Sequence, residues 1–205
     1  MEIFEHKGWK VAKWTAGIFA SNVYLLWEES TKQSVIVDAG GAVRAVSKFI
    51  TSENLKVKYI ILTHRHWDHT LYAGKFKKHT SAKILIGAGD KPKGKSFRDG
   101  GSKLYNEDEI PFGNLKIKVM ETPGHTPGSI SLLLEEAVFT GDTLFADGVG
   151  RTDLKGGNLE QLVSSLKKLI TLDESTKIYP GHGPPSFIGK EKRSTPLLIY
   201  FSERK

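Results

Sequence analysis

The run "YIIL" at 59–62 leads directly into "THRHWDH" at 63–69. An apolar stretch of this kind reads as a buried strand. The six positions that end the segment hold His64, His66, Asp68 and His69. Spacings of two and one place these side chains on a tight turn rather than on one helix face. The arrangement recurs along the chain: His125 follows "KVMETPG", Asp142 follows "VFTG" and His182 follows "IYPG". A lone histidine past a strand end is usually solvated or capped. Here five of the seven histidines sit in turns containing Gly or Asp, just beyond strands. Imidazole nitrogens and carboxylate oxygens bind divalent cations well. His64 and His66 can point to one ion while Asp68 and His69 reach a second, and Asp142 can bridge both. Four such loops at one edge of a sheet sandwich can converge on a single point, and loops of this kind commonly carry chemistry.

The rest of the pattern supplies that sandwich. "WKVAKWT" alternates, "NVYLLW" is apolar and aromatic, and "SVIVDAGG" is a β-branched run ending in a Gly turn. Val43, Val46, Phe49 and Ile50 have helical spacing over 42–51. Strands are expected at 57–63, 82–87, 114–122, 129–134 and 137–142, and a last one in "TKIYPGHG", followed by a short tail. A helix opens at Asn158, whose pairing with Gln161 suggests a capping box. Leu159, Leu162, Val163, Leu166, Leu169 and Ile170 form its apolar stripe. Residues 88–109 are rich in Gly, Lys and charge without periodicity, and read as a long surface loop or a flap. Strand blocks alternating with helices in two similar halves predict an α/β (α+β) fold with helices outside the sheets. No linker interrupts residues 1–205, which are expected to form one domain.

Composition narrows the chemistry. The chain has no cysteine, which excludes disulfides, thiolate metal sites and cysteine nucleophiles. The segment "MEIFEHKGWK" lacks a signal core and no apolar run reaches the roughly 20 residues of a membrane span. A cytoplasmic protein without membrane association is expected. A formal charge of +7 favours anionic partners. No basic helix or basic–aromatic array points to nucleic acid, so a small-molecule substrate is expected. No motif sets the oligomeric state.

In order, "THRHWDH", "TPGHTPGS", "FTGDTLF" and "YPGHG" resemble the metallo-β-lactamase superfamily over nearly the whole chain. The resemblance implies a four-layer αββα sandwich. It implies that His64, His66 and His125 hold a first metal, that Asp68, His69 and His182 hold a second, and that Asp142 bridges. Two divalent ions are implied, zinc first, with iron or manganese as alternatives. Asp38 matches an aspartate that supports the metal loop in relatives, and Asn22 in "SNVYLL" matches a structural position.

"GDTLFADGVGRTDLKGG" and "YPGHGPPSFIGKEKRSTP" look like the small glyoxalase II-like hydrolases, as does "HWDH". That similarity implies cleavage of a thioester such as S-lactoylglutathione by a metal-bridging hydroxide, with Asp68 chiefly a ligand that can also assist proton transfer. Only 23 residues follow His182, so the glutathione-binding helical domain of full-length glyoxalase II is expected to be absent. Tyr72 stands where relatives usually have Gly, and Thr195 where they often have Asn. Arg151 and Lys155 are candidates for an anionic substrate tail, with an Arg151–Asp153 ion pair as the competing role. Tyr72 either shapes the pocket or packs beside the loop. "GRTD" also resembles the persulfide dioxygenases, which use a single iron. A lactonase or nuclease of the same superfamily ranks below both.

Overall fold

Along "SNVYLLWE" successive side chains point to opposite faces, as in any strand. Both faces are apolar: Val23, Leu25 and Trp27 on one, Tyr24 and Leu26 on the other. Such a strand must be covered twice. The computed structural model, which describes residues 1–91 and 101–202, covers it in this way. β3 (Ser21–Glu28) lies in a seven-stranded sheet between β2 (Trp9–Ala16) and β4 (Gln33–Val37). β1 (Glu2–His6) forms one edge, and β5 (Lys56–Leu62), β6 (Lys83–Gly87) and β7 (Ser102–Leu104) extend the other side. β1 to β4 pair antiparallel, and β4 to β7 run parallel. The second sheet is ordered β15 (Ser186–Phe187), β14 (Lys177–Pro180), β11 (Ala137–Gly141), β10 (Ile130–Leu134), β9 (Leu115–Glu121) and β8 (Glu109–Phe112). Within it β11 and β14 are parallel.

Three apolar layers hold the sheets together. Between them, Tyr24, Leu26, Val37 and Ile61 meet Val119, Leu132, Phe139 and Tyr179. Phe139 and Tyr179 stack at 4.9 Å, and Tyr24 meets them edge-on at 5.3 and 5.6 Å. Outside the first sheet, α1 (Val43–Ser52) and α3 (Ala73–Thr80) bury Val46, Ile50, Ala73 and Phe76. Outside the second, α4 (Leu159–Leu169), α5 (Ile188–Ser194) and α6 (Pro196–Ser202) contribute Leu162, Leu166, Leu169, Ile188 and Leu198. Burying each such leucine is worth about 2 kcal/mol, so packing rather than propensity holds these short helices. The Asn158 side chain accepts from the Gln161 backbone N–H at 2.9 Å, the N-cap half of the expected box. The architecture is the expected αββα sandwich.

Three local expectations need correction. Residues 88–109 are not one long loop: 102–104 form β7, a short parallel edge strand on β6, and Glu109 opens β8. Residues 92–100 lie outside those described. The segment after His182 is not a simple tail. It makes β15, α5 and α6, because Ile188 and Leu198 complete the outer core. The turn of the ligand motif contains one helical turn, α2 (Trp67–Thr70), with His66 extended at its N-cap. Among the described residues no helix is long and apolar enough to cross a membrane.

Candidate metal centre

Asp38, His64, Asp142 and His182 follow the carboxyl ends of β4, β5, β11 and β14, the four strands of the parallel pairings nearest the sheet centres. In α/β sheets that rim is where ligands bind. The β9–β10 connection brings His125 to the same rim. Ligand-type atoms gather in three overlapping groups: His64, His66 and His125; His64, His69 and Asp142; and Asp68, His69 and His182. Within each, the atoms lie within 4.8 Å of one another. His66 Nδ1 faces His125 Nε2 at 2.9 Å, and His69 Nε2 faces His182 Nε2 at 3.1 Å. Asp142 stands between the groups. Its Oδ2 is 3.5 Å from both His125 Nε2 and His182 Nε2, and its Oδ1 is 3.4 Å from His69 Nε2. The structure therefore brings all seven expected residues together.

The outward ring nitrogens decide what the inward ones can do. His69 Nδ1 donates to Asp38 Oδ2 at 2.8 Å, His125 Nδ1 to the Arg151 carbonyl at 2.8 Å, and His182 Nδ1 to the Phe19 carbonyl at 2.9 Å. His64 Nδ1 pairs with Thr63 Oγ1 at 3.1 Å. A proton held on Nδ1 leaves Nε2 with a lone pair aimed at the cluster, which is how outer partners fix a metal-binding tautomer. Asp38 also accepts from the Thr63 backbone N–H at 2.8 Å. It does so from a φ of 60°, a conformation Asp tolerates better than most residues. Gly181 supplies room: a Cβ there would sit 2.2 Å from Asp142 Oδ1 and 2.8 Å from His69 Cε1.

Charge and packing both fit divalent cations. Burial opposes a charged imidazole at His69, but Asp142, Asp38 and Asp68 outweigh it and push its pKa up to about 9. His182, also partly desolvated, is pushed up to about 10 by Asp142 and Asp68. Burial works against the Asp142 carboxylate, yet His69, His182 and His64 hold it far below the usual range. His64 is driven down by burial, with His69 adding to the effect. The carboxylates thus call for positive charge at the centre, where His69 and His182 are held towards the charged form and buried His64 is not. His64 Nε2 and Asp142 Oδ1 are buried with no hydrogen-bond partner. Two ligand atoms on a tetrahedral zinc lie about 3.3 Å apart, given bonds near 2.0–2.1 Å. The facing donors here are spaced accordingly.

The centre lies in a cleft of about 1050 Å³. Arg151 and Lys155 both line it. Arg151 is engaged by Asp153 through two contacts, Nε at 2.7 Å and Nη2 at 2.5 Å. Tyr72 does not reach this cleft. It packs against the outer core of the first sheet and lines a separate cavity of about 650 Å³, with Lys75 Nζ 4.8 Å above its ring. Two supports had no sequence signal. Buried Asp90 accepts from Arg65 N–H at 2.8 Å, Thr126 Oγ1 at 2.8 Å and Gly128 N–H at 3.1 Å, tying the His64–His69 loop to that of His125. Phe19, which fixes His182 through its carbonyl, lies at the tip of the β2–β3 hairpin.

Comparison with known proteins agrees with this geometry. Hydroxyacylglutathione hydrolase GloC of Haemophilus influenzae is 34% identical over 200 residues, covering 88% of this chain and 93% of that protein. The crystal structure of BLEG-1 B3 metallo-beta-lactamase superposes with a TM-score of 0.82 at 32% identity, covering 92% of this chain and 99% of the other. That of ETHE1 from Myxococcus xanthus gives 0.80 at 31%, covering 94% and 89%. Residues 16–182, from the β2–β3 hairpin to the last histidine of the cluster, match the family profile described as the metallo-beta-lactamase superfamily. With its αββα layers and its histidine–aspartate rim, the chain belongs to the metallo-β-lactamase superfamily of metallo-hydrolases.

Proposed function

We propose that residues 1–205 form one catalytic domain that hydrolyses thioesters with two divalent ions, in the manner of glyoxalase II, with S-lactoylglutathione as the reference substrate. The observation that carries this is the convergence of seven ligand-type residues, with the outward nitrogens of His69, His125 and His182 already hydrogen-bonded. His64, His66 and His125 would hold one ion and Asp68, His69 and His182 the other, with Asp142 shared between them. Two divalent ions held there, zinc first with iron or manganese as alternatives, would lower the pKa of water from about 15.7 towards 7 and supply a Lewis acid for the substrate carbonyl. Asp38 keeps the His69 proton on Nδ1. Asp68 Oδ2, 3.4 Å from His182 Nε2, is positioned to hold and pass a proton. Lys155 and Arg151 face an anionic carrier group, with Asp153 steadying the guanidinium. Tyr72 packs and takes no part in binding.

The test is thiol release from a thioester panel by protein loaded with zinc, iron or manganese. Turnover of S-lactoylglutathione that stops on chelation and returns with metal is the expected result. The "GRTD" motif favours one rival. Oxygen uptake with glutathione persulfide by the iron form, with no thioester cleaved, would replace the hydrolase by a persulfide dioxygenase.

A further inference from the structure

Hairpin tips are normally polar. The tip between β2 and β3 instead carries Ile18 and Phe19, 86% and 54% exposed. Trp67, between His66 and Asp68 in the chain, is 51% exposed, whereas Trp9, Trp14 and Trp27 are buried. The Phe19 and Trp67 rings meet edge-to-face at 5.1 Å, and both line the cleft that holds the metal centre. Phe145 joins them there, 6.1 Å from the His182 ring. The pair is not on a loose segment. The Phe19 carbonyl accepts from His182 Nδ1, and the Ala20 N–H closes the turn onto the Gly17 carbonyl at 3.2 Å. Large aromatic surface left in water at the mouth of a concave site is surface available to a ligand.

We infer that Phe19 and Trp67 form an acyl-binding wall that makes this site select thioesters with an extended apolar acyl group over acetyl or lactoyl ones. The inference rests on the thioester reading of the centre. A thioester held by its carbonyl beside Asp142 sends two arms into the cleft. Lys91, Arg151 and Lys155 offer the cationic lining suited to an anionic thiol arm. The aromatic pair is left for the acyl arm. Phe19 is in addition a positioning residue, because the same residue carries the carbonyl that orients His182.

The acyl arm is tested on the metal-loaded full chain with S-acetyl-, S-lactoyl- and S-hexanoylglutathione. Hexanoyl adds four methylenes to acetyl. Burial of about half their surface raises kcat/KM roughly tenfold. Phe19→Ala is expected to cut the hexanoyl-to-acetyl ratio to below about threefold, and Phe19→Trp to restore it. A purely structural role at this position would lower both rates and leave the ratio in place. Binding supplies a second readout: S-hexylglutathione, a thioether that is not hydrolysed, is expected to perturb tryptophan emission at roughly tenfold lower concentration than S-methylglutathione. Trp67→Phe should remove that signal. Equal rates across the acyl series and equal binding of the two thioethers, in a protein that does cleave thioesters, would overturn the wall and leave the hydrolase standing. Preferential S-hexyl binding by a protein that cleaves no thioester would uphold the wall and overturn the reaction.

Discussion

Asp38→Asn tests how the outer hydrogen bonds set up the metal centre. The Asp38 carboxylate accepts from Thr63 N–H at 2.8 Å through Oδ1 and from His69 Nδ1 at 2.8 Å through Oδ2. Asparagine has nearly the same shape but one donor end. With its NH2 at the Oδ1 position it would face the Thr63 N–H, leaving a buried donor unpaired at about 1–3 kcal/mol. With its NH2 at the Oδ2 position it faces His69 Nδ1, and the imidazole can respond by moving its proton to Nε2. The second arrangement is cheaper, since the Thr63 hydroxyl can turn, and it puts a hydrogen where a metal should bind. Loss of such an outer partner typically lowers metal affinity 10- to 100-fold, or about 1.4–2.7 kcal/mol. At a free zinc concentration 100 times the wild-type Kd of this site, wild type gains about 2.7 kcal/mol in stability. The variant would gain only about 0.4–1.4 kcal/mol from the same site. Competition titration against a coloured chelator, with thermal melts at matched zinc, measures both. Two ions bound by Asp38→Asn at wild-type affinity would refute tautomer control by Asp38.

Two further outcomes follow from the structure. Gly181→Ala places a methyl 2.2 Å from Asp142 Oδ1, so these groups must shift by about 1 Å; a displacement of that size is expected to lower hydrolysis about 100-fold. The accompanying stability loss is about 1–3 kcal/mol, and kinetics with denaturant unfolding would detect either effect. Glu28 accepts from the Thr31 hydroxyl, from Ser30 Oγ at 2.7 Å and from two backbone N–H groups; led by the Thr31 bond and against burial, these lower its pKa from 4.5 to about 2. Because the folded value is depressed, the stabilisation is complete above about pH 4.5 and is lost as pH falls towards 2. The stability gap between wild type and Glu28→Gln should therefore narrow over that window, and parallel urea curves from pH 6 to pH 3 would contradict it.

What was legible in the sequence is what local pattern controls. Apolar runs such as "YIIL" and "AVFTG" mark strands whatever their partners, so polar residues just past them stood out as site candidates. The capped amphipathic α4 was equally plain. The segment that makes α3 was not, because only Ala73 and Phe76 of its eight residues are buried, too few to show a period. β7 is three residues long and exists through its pairing with β6. Glu191 sits in the polar stretch "GKEKR" and reads as solvated, yet it is fully buried. It accepts from the Asp147 N–H at 2.7 Å and from Thr195 Oγ1 at 2.7 Å, which gives the unusual Thr195 a role. Asn22 donates to the carbonyls of Pro180 and Gly183 at 2.9 Å each and so anchors the His182 turn. Such supports join residues far apart in the chain and leave no spacing to detect. The Arg151–Asp153 pair, two residues apart, was visible for the opposite reason.

The most direct measurement is an anomalous-scattering map at the zinc edge from crystals of zinc-loaded protein. Two peaks are expected, about 3.5–4 Å apart. One should lie within about 2.3 Å of nitrogens from His64, His66 and His125, and the other within bonding distance of Asp68, His69 and His182, with Asp142 touching both. Zinc bound elsewhere on the chain, with no peak among these seven side chains, would contradict the account at its centre.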